Sequence, residues 1–116
     1  TWFVIETRHR LHPNFLQIDT VSPGDPFYLG EDEIEARVIL FNPHLGITME
    51  GEALQMSDTL YNPAVRVRVI EEGEVSQEGW AFYYTEAPHY RREDMLGFRI
   101  IDFRVDAAYI PIPDKK

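Results

Sequence analysis

Cysteine is absent from the 116-residue chain. With it go disulfides, thiolate zinc and iron–sulfur ligation, a thiol nucleophile and the Cys-x-x-Cys-His attachment of haem. No compartment follows, because an exported domain also folds without disulfides. Basic residues are few: 11 Lys and Arg stand against 20 Asp and Glu, a formal charge of −9. That field repels phosphate backbones and anionic lipid at long range, so nucleic acid is not an expected partner. A basic protein partner would be steered favourably, although a negative surface also simply serves solubility. Long apolar runs are missing as well, and none approaches the ~20 residues needed to span a bilayer as a helix. No Gly-rich phosphate loop and no Gly-x-Ser-x-Gly elbow occurs. These absences favour binding or scaffolding over catalysis.

What is present is a succession of short strand signals separated by turn residues, and no window keeps a clean 3.6 period. The expected fold is all-β, an antiparallel β-sandwich of about seven to nine short strands in one soluble domain over residues 1–116. A chain of this length buries roughly two-thirds of its unfolded surface, enough for one core without staples. Thr1 lies directly in a strand pattern, which reads as a piece excised from a longer chain whose other parts could carry membrane spans. Expected strands are Trp2–Arg8, Phe15–Thr20, Phe27–Leu29 and Ile34–Asn42, the last with Ile34, Ala36, Val38 and Leu40 on one face. Residues 46–59 read as a long surface loop with room for one short strand, and loops of that length are often functional or disordered. Val65 to Phe82 is the clearest element, a hairpin around Glu71-Glu72-Gly73-Glu74. Its return strand places Trp80, Phe82 and Tyr84 on the core side, so truncating Trp80 is expected to cost about 3–5 kcal/mol. Phe98–Val105 and an edge strand at Tyr109–Ile112, limited by Pro111, complete the set.

Among the four histidines, His9, His12, His44 and His89, none pairs with a carboxylate at zinc-motif spacing. His9 and His12 would share a helix face but precede Pro13 on a strand, where a turn is the simpler reading. His44 and His89 each follow a proline in a loop and read as solvated punctuation. Asp102 sits among Ile100, Ile101 and Phe103, a setting that can raise a carboxyl pKa. No partner residue accompanies it, so a wet-face carboxylate near Arg99 or Arg104 is the default, and a hydrolase with paired acids has no spacing to support it. Exposed rings could form a platform for sugars or an anchor for protein, with Tyr83 as the surface candidate. The loop from Ala87 to Met95 carries His89, Tyr90, Arg91 and Arg92, a compact basic-aromatic cluster that either docks a partner or pairs locally with Glu93 and Asp94.

The run Asn62-Pro63-Ala64-Val65-Arg66-Val67-Arg68-Val69, an acidic Gly-containing turn, Glu78-Gly79-Trp80-Ala81-Phe82 and then Pro88-His89 resembles the extracytoplasmic domain of ResB-like cytochrome c biogenesis proteins. The likeness covers roughly a quarter of the chain. It implies a membrane protein of the system II type, whose β-rich domain lies on the extracytoplasmic face of a bacterial cytoplasmic membrane. The implied role is protein interaction or scaffolding during haem delivery and attachment to apocytochrome c, with apocytochrome c and other membrane components of the haem-handling complex as partners. No cofactor is expected in this fragment, while haem belongs to the full-length protein, whose haem-handling histidines lie mainly in membrane segments. No catalytic residue is carried over. Asn62, Pro63, Gly79, Trp80 and Phe82 match as architectural positions: strand entry, close approach and aromatic packing. The remaining alternative is an unrelated extracellular module that binds carbohydrate or protein.

Overall fold

Alternation fixes which side of each strand is dry. In β1 (Trp2–His9) the side chains of Phe3, Ile5 and Thr7 are fully buried, and in β7 (Ala64–Glu71) those of Val65, Val67 and Val69 are. A computed structural model describes residues 1–30, 34–83 and 94–111. These residues form nine strands and a 3-10 turn, with no α-helix among the described residues. β2 (Leu16–Val21), β3 (Phe27–Tyr28), β4 (Ile34–Asn42), β8 (Glu74–Phe82) and β9 (Leu96–Arg104) join β1 and β7 in one seven-stranded sheet, in the order β2-β1-β9-β8-β7-β4-β3. β5 (Leu45–Ile47) and β6 (Ala53–Gln55) make a separate two-stranded ribbon. The fold is therefore all-β, as the sequence implies. It is mixed in direction, because β8 and β9 run parallel while the other sheet neighbours are antiparallel. Parallel neighbours need a connection of about a dozen residues or more, which residues 83–95 supply.

The sheet curls on itself until it is nearly a barrel. Its inner face holds Phe3, Ile5, Phe27, Leu29, Val38, Val67, Phe98 and Ile100, with Phe3 against Phe41 at 5.4 Å between ring centroids. Two glutamines lace the places where backbone pairing is thin. Between the outermost strands, the Gln17 amide donates to the Tyr28 carbonyl at 2.7 Å and accepts from the Gly30 N–H at 2.8 Å. Between β8 and β9, whose register holds the single pair Phe82 and Arg99, the Gln77 amide donates to the Leu96 carbonyl at 2.6 Å and accepts from the Leu96 N–H at 3.2 Å. Each side-chain amide thus serves as a peptide unit would.

Irregularities in the ladders decide which side chains face inward. Along β4 the register with β7 shifts between Val38 and Leu40, leaving Ile39 as an extra residue. A bulge of this kind exchanges the two faces beyond it. Leu40, expected inside, is 53% exposed, and Phe41 enters the core at 7%. The expected loop at 46–59 contains the β5–β6 ribbon, whose Thr48–Gly51 turn is closed by the Gly51 N–H on the Thr48 carbonyl. No edge strand forms at Tyr109. The chain makes a 3-10 turn at Ala107–Tyr109 instead, which brings the Tyr109 ring to 5.9 Å from Phe41, where it packs against the core. Ile112, the end of that expected strand, lies outside the described residues.

One polar group in the interior has no counterpart. Thr7 is 0% exposed, and its Oγ1 has no hydrogen-bond partner among the described residues. A buried hydroxyl without a partner carries its desolvation cost uncompensated. Thr7→Val keeps the shape and removes that cost, so the substitution should stabilise the fold by about 1 kcal/mol, measured as a higher urea midpoint at unchanged slope.

Candidate functional site

The β7–β8 hairpin turns through Glu72 at φ 53° and Gly73 at φ 81°, the left-handed pair of a two-residue hairpin turn. Glu71 faces Glu74 and Ile70 faces Val75, and continuing that register would set Trp80 opposite Val65, in the core. The register shifts at this point, however, with Ser76 as the additional residue. From there on Val69 faces Gln77, Val67 faces Gly79, Val65 faces Ala81 and Arg66 faces Trp80. The inner side of β8 is thus Gln77, Gly79 and the fully buried Ala81, small groups that let the strand approach the valines. Trp80 and Phe82 lie half-buried on the outer side, which corrects their expected place in the core. Tyr83 is corrected in the opposite sense. It packs against the core, edge-on to Phe103 at 5.0 Å. Tyr84 lies outside the described residues.

On this outer face the ribbon builds one wall of a groove of about 400 Å³, lined by Ile47, Gly51, Ala53, Arg66, Gly79, Trp80 and Phe82. Asparagines hold the ribbon in place: Asn42 Nδ2 donates to the Leu54 carbonyl at 3.0 Å, and Asn62 Nδ2 to the Leu45 carbonyl at 2.9 Å. Pro63 is buried, and its carbonyl accepts the Tyr83 N–H at 3.2 Å. Asn62 and Pro63 therefore organise the entry to β7, and Gly79 both faces Val67 and borders the groove. At the polar end of the groove, Arg66 Nε and Arg68 Nε each donate to one oxygen of Glu78 at 2.7 Å. The Arg66 guanidinium carbon also lies 5.6 Å from the centre of the Trp80 ring, a cation–π distance. Those hydrogen bonds, Arg66 first and then Arg68, hold the Glu78 carboxyl below the ordinary value of 4.5.

The other candidates are dispersed. His9 and His12 are in ring contact at 4.5 Å, and the His9 Nδ1 accepts the Leu11 N–H at 3.1 Å. Burial, followed by the neighbouring His12, pushes the His9 pKa below 6.5. His9 also borders a smaller cavity of about 190 Å³ with Glu71, Ser76, Gln77 and Asp94. Its ring does not belong to a metal cluster: no group of three or more His, Asp or Glu side chains placed to hold an ion occurs among the described residues. His44 is tied to Ser57 Oγ at 2.9 Å and to the edge of Tyr61, so it is fixed in place. Asp102 is exposed and accepts the Phe103 N–H at 2.9 Å. Glu6 and Asp94 are the buried acids among the described residues instead. Arg99 grips both oxygens of Glu6 at 3.0 and 3.1 Å, which with Arg8 lowers the Glu6 pKa. The loop residues His89, Tyr90, Arg91 and Arg92 lie outside the described residues.

The groove thus unites Trp80 and Phe82, expected as packing residues, with Arg66, Ile47 and Ala53, which sequence reasoning alone does not single out. The alternation of Arg66 and Arg68 with the valines is the signal that marks this outer face. Compared with protein-family models, with curated proteins and with solved structures, the chain has no match in any of the three.

The ionisations make a pH prediction. Glu78 and Glu6 titrate below 4.5 when folded, so their stabilisation is complete above that value and is lost as pH falls through the lowered one. His9 titrates below 6.5 when folded, so protonation opposes folding and stability also falls as pH drops below 6.5. Urea midpoints should decline in two stages on acidification. His9→Gln should remove the first stage, and Glu78→Gln should shrink the second.

Proposed function

We propose that this domain is a protein-interaction module and that it docks its partner on the outer face of the β7–β8 hairpin. In the setting implied by the ResB-like resemblance, it acts as a scaffold for apocytochrome c on the extracytoplasmic side of a bacterial membrane. The single observation that carries the docking role is the groove itself: an indole and a phenyl ring held half-exposed on the outer face of the curled sheet, walled by an anchored ribbon. Rings in that position contribute little to the core, whereas Trp and Arg together are the side chains that dominate binding energy at protein interfaces. Further exposed apolar groups lie on and beside the ribbon, Leu54, Met56 and Tyr61. Methionine adapts its shape to varied protein surfaces, and tyrosine supplies contact area at low entropic cost.

A glycan platform fits this lining less well. Among the described lining residues Arg66 and the Trp80 indole N–H offer hydrogen-bond donors and no side chain offers an acceptor, while sugar hydroxyls call for several of both. The test is binding of a reduced apocytochrome c polypeptide to the immobilised domain, alongside a panel of glycans. Trp80→Ala should cost only about 1–2 kcal/mol of stability, because the ring is half-buried, and should abolish polypeptide binding in a protein that remains folded. Polypeptide binding that survives Trp80→Ala counts against this face. Glycan binding that is lost in Trp80→Ala replaces the proposal with the carbohydrate alternative.

A further inference from the structure

We propose that the groove recognises a carboxylate placed beside an aromatic side chain on an extended segment of the partner protein. This deepens the docking role assigned to the same face and rests on it. Arg66 and Arg68 share the single carboxylate of Glu78, and each uses only its Nε to do so. Two guanidiniums against one carboxylate leave one positive charge uncompensated at the rim of the groove, on a chain whose net charge is −9. The Nη groups of both arginines make no hydrogen bond among the described residues. Across the ladder, Arg37 stands opposite Arg68 and extends the cationic row, although it is itself tied to Glu35 and to the Gly24 carbonyl.

Arg66 is held from two sides, by Glu78 at its Nε and by the Trp80 ring, whose centre lies 5.6 Å from the guanidinium carbon. A held guanidinium with its outer edge unused is suited to a carboxylate, which it can meet with two parallel N–H···O bonds. Immediately beside it the groove offers Trp80, Phe82, Ile47 and Ala53 over the bare backbone of Gly79, a slot for a ring. Cation and slot are adjacent because Arg66 and Trp80 are register partners. The recognised group is therefore an acid and a ring within one or two residues of each other. A nucleic acid also carries anions and rings, but each further phosphate would meet the net negative field of the chain, whereas one carboxylate meets only its local partner.

Selection of the whole chain against a displayed library of random linear peptides tests this without presupposing a sequence. Selected peptides should carry Asp or Glu next to, or one residue from, Phe, Tyr or Trp. Replacing the acid by its amide should weaken binding by about tenfold or more, as should Arg66→Gln. Ile47→Asp alters a residue that is 56% exposed and outside the core, and should abolish binding by setting a negative charge on the wall of the slot. Selected peptides that lack an acid, or that tolerate both the amide and Arg66→Gln while remaining sensitive to Ile47→Asp, overturn the carboxylate inference and leave the docking face standing. Peptides indifferent to Ile47→Asp, or a library that yields no binder, overturn the inference and the docking face together.

Discussion

A sheet that curls toward closure must still satisfy the backbone groups where its strands diverge, and here that task falls to two side-chain amides. Backbone N–H and C=O groups left without partners cost about 1–3 kcal/mol each where they are buried, which bears on the part-buried Gln77 contacts more than on the exposed ones of Gln17. Gln17 spans from β2 to Tyr28 and Gly30, and Gln77 spans from β8 to Leu96. Each presents an amide NH2 and a carbonyl oxygen at the end of a flexible stem, and so reaches a strand that a backbone group at the same position would miss. The parallel seam between β8 and β9 needs this most, because one register pair alone joins the two strands. With the seam held, the outer face of β8 becomes a fixed surface on which Trp80 and Phe82 can serve as something other than packing.

Three bulges among the described residues then distribute the side chains between inside and outside. Ile39 on β4, Ser76 on β8 and Ile101 on β9 are the additional residues at the register shifts. Each reverses the parity of the residues beyond it, since the side-chain period of a strand is two. This is where the sequence was hardest to read. The strands themselves were legible from alternation and turn residues: Ile34–Asn42 has the observed bounds, and Glu72-Gly73 makes the expected turn. The phase within a strand was not, because a bulge leaves no mark in hydrophobicity. Large aromatics at 80 and 82 outweigh Gly79 and Ala81 in any apolar count, yet the small residues are the inward ones. The glutamine seams were equally hidden, as nothing distinguishes a lacing glutamine from a solvated one until the strand order is known.

The same logic explains why the groove was only half visible. In the sequence its rings read as core residues, and its arginines as the polar partners of an alternating strand. What brings them together is the one-residue shift at Ser76, which sets Arg66 opposite Trp80. Glu78 then binds both arginines and orients them. On the opposite side of the seam, Glu6 and Arg99 form a comparable clasp between β1 and β9, where a carboxylate almost removed from solvent is gripped at both oxygens. Breaking such a pair by neutralising one member leaves the other charge stranded, which is more costly than never having buried it.

Closure of the parallel seam depends most heavily on the amide of Gln77, and native-state hydrogen exchange at the Leu96 N–H examines it directly. Leu96 pairs with His9 of β1 on one side, while its own N–H is directed to the Gln77 oxygen. Its amide should be protected in the parent protein. In Gln77→Leu, a variant of similar volume, it should exchange roughly ten- to a hundredfold faster, while the amides of β1 paired with β2 keep their protection. Unchanged protection of the Leu96 amide in a folded Gln77→Leu protein would contradict the claim that this side chain closes the seam.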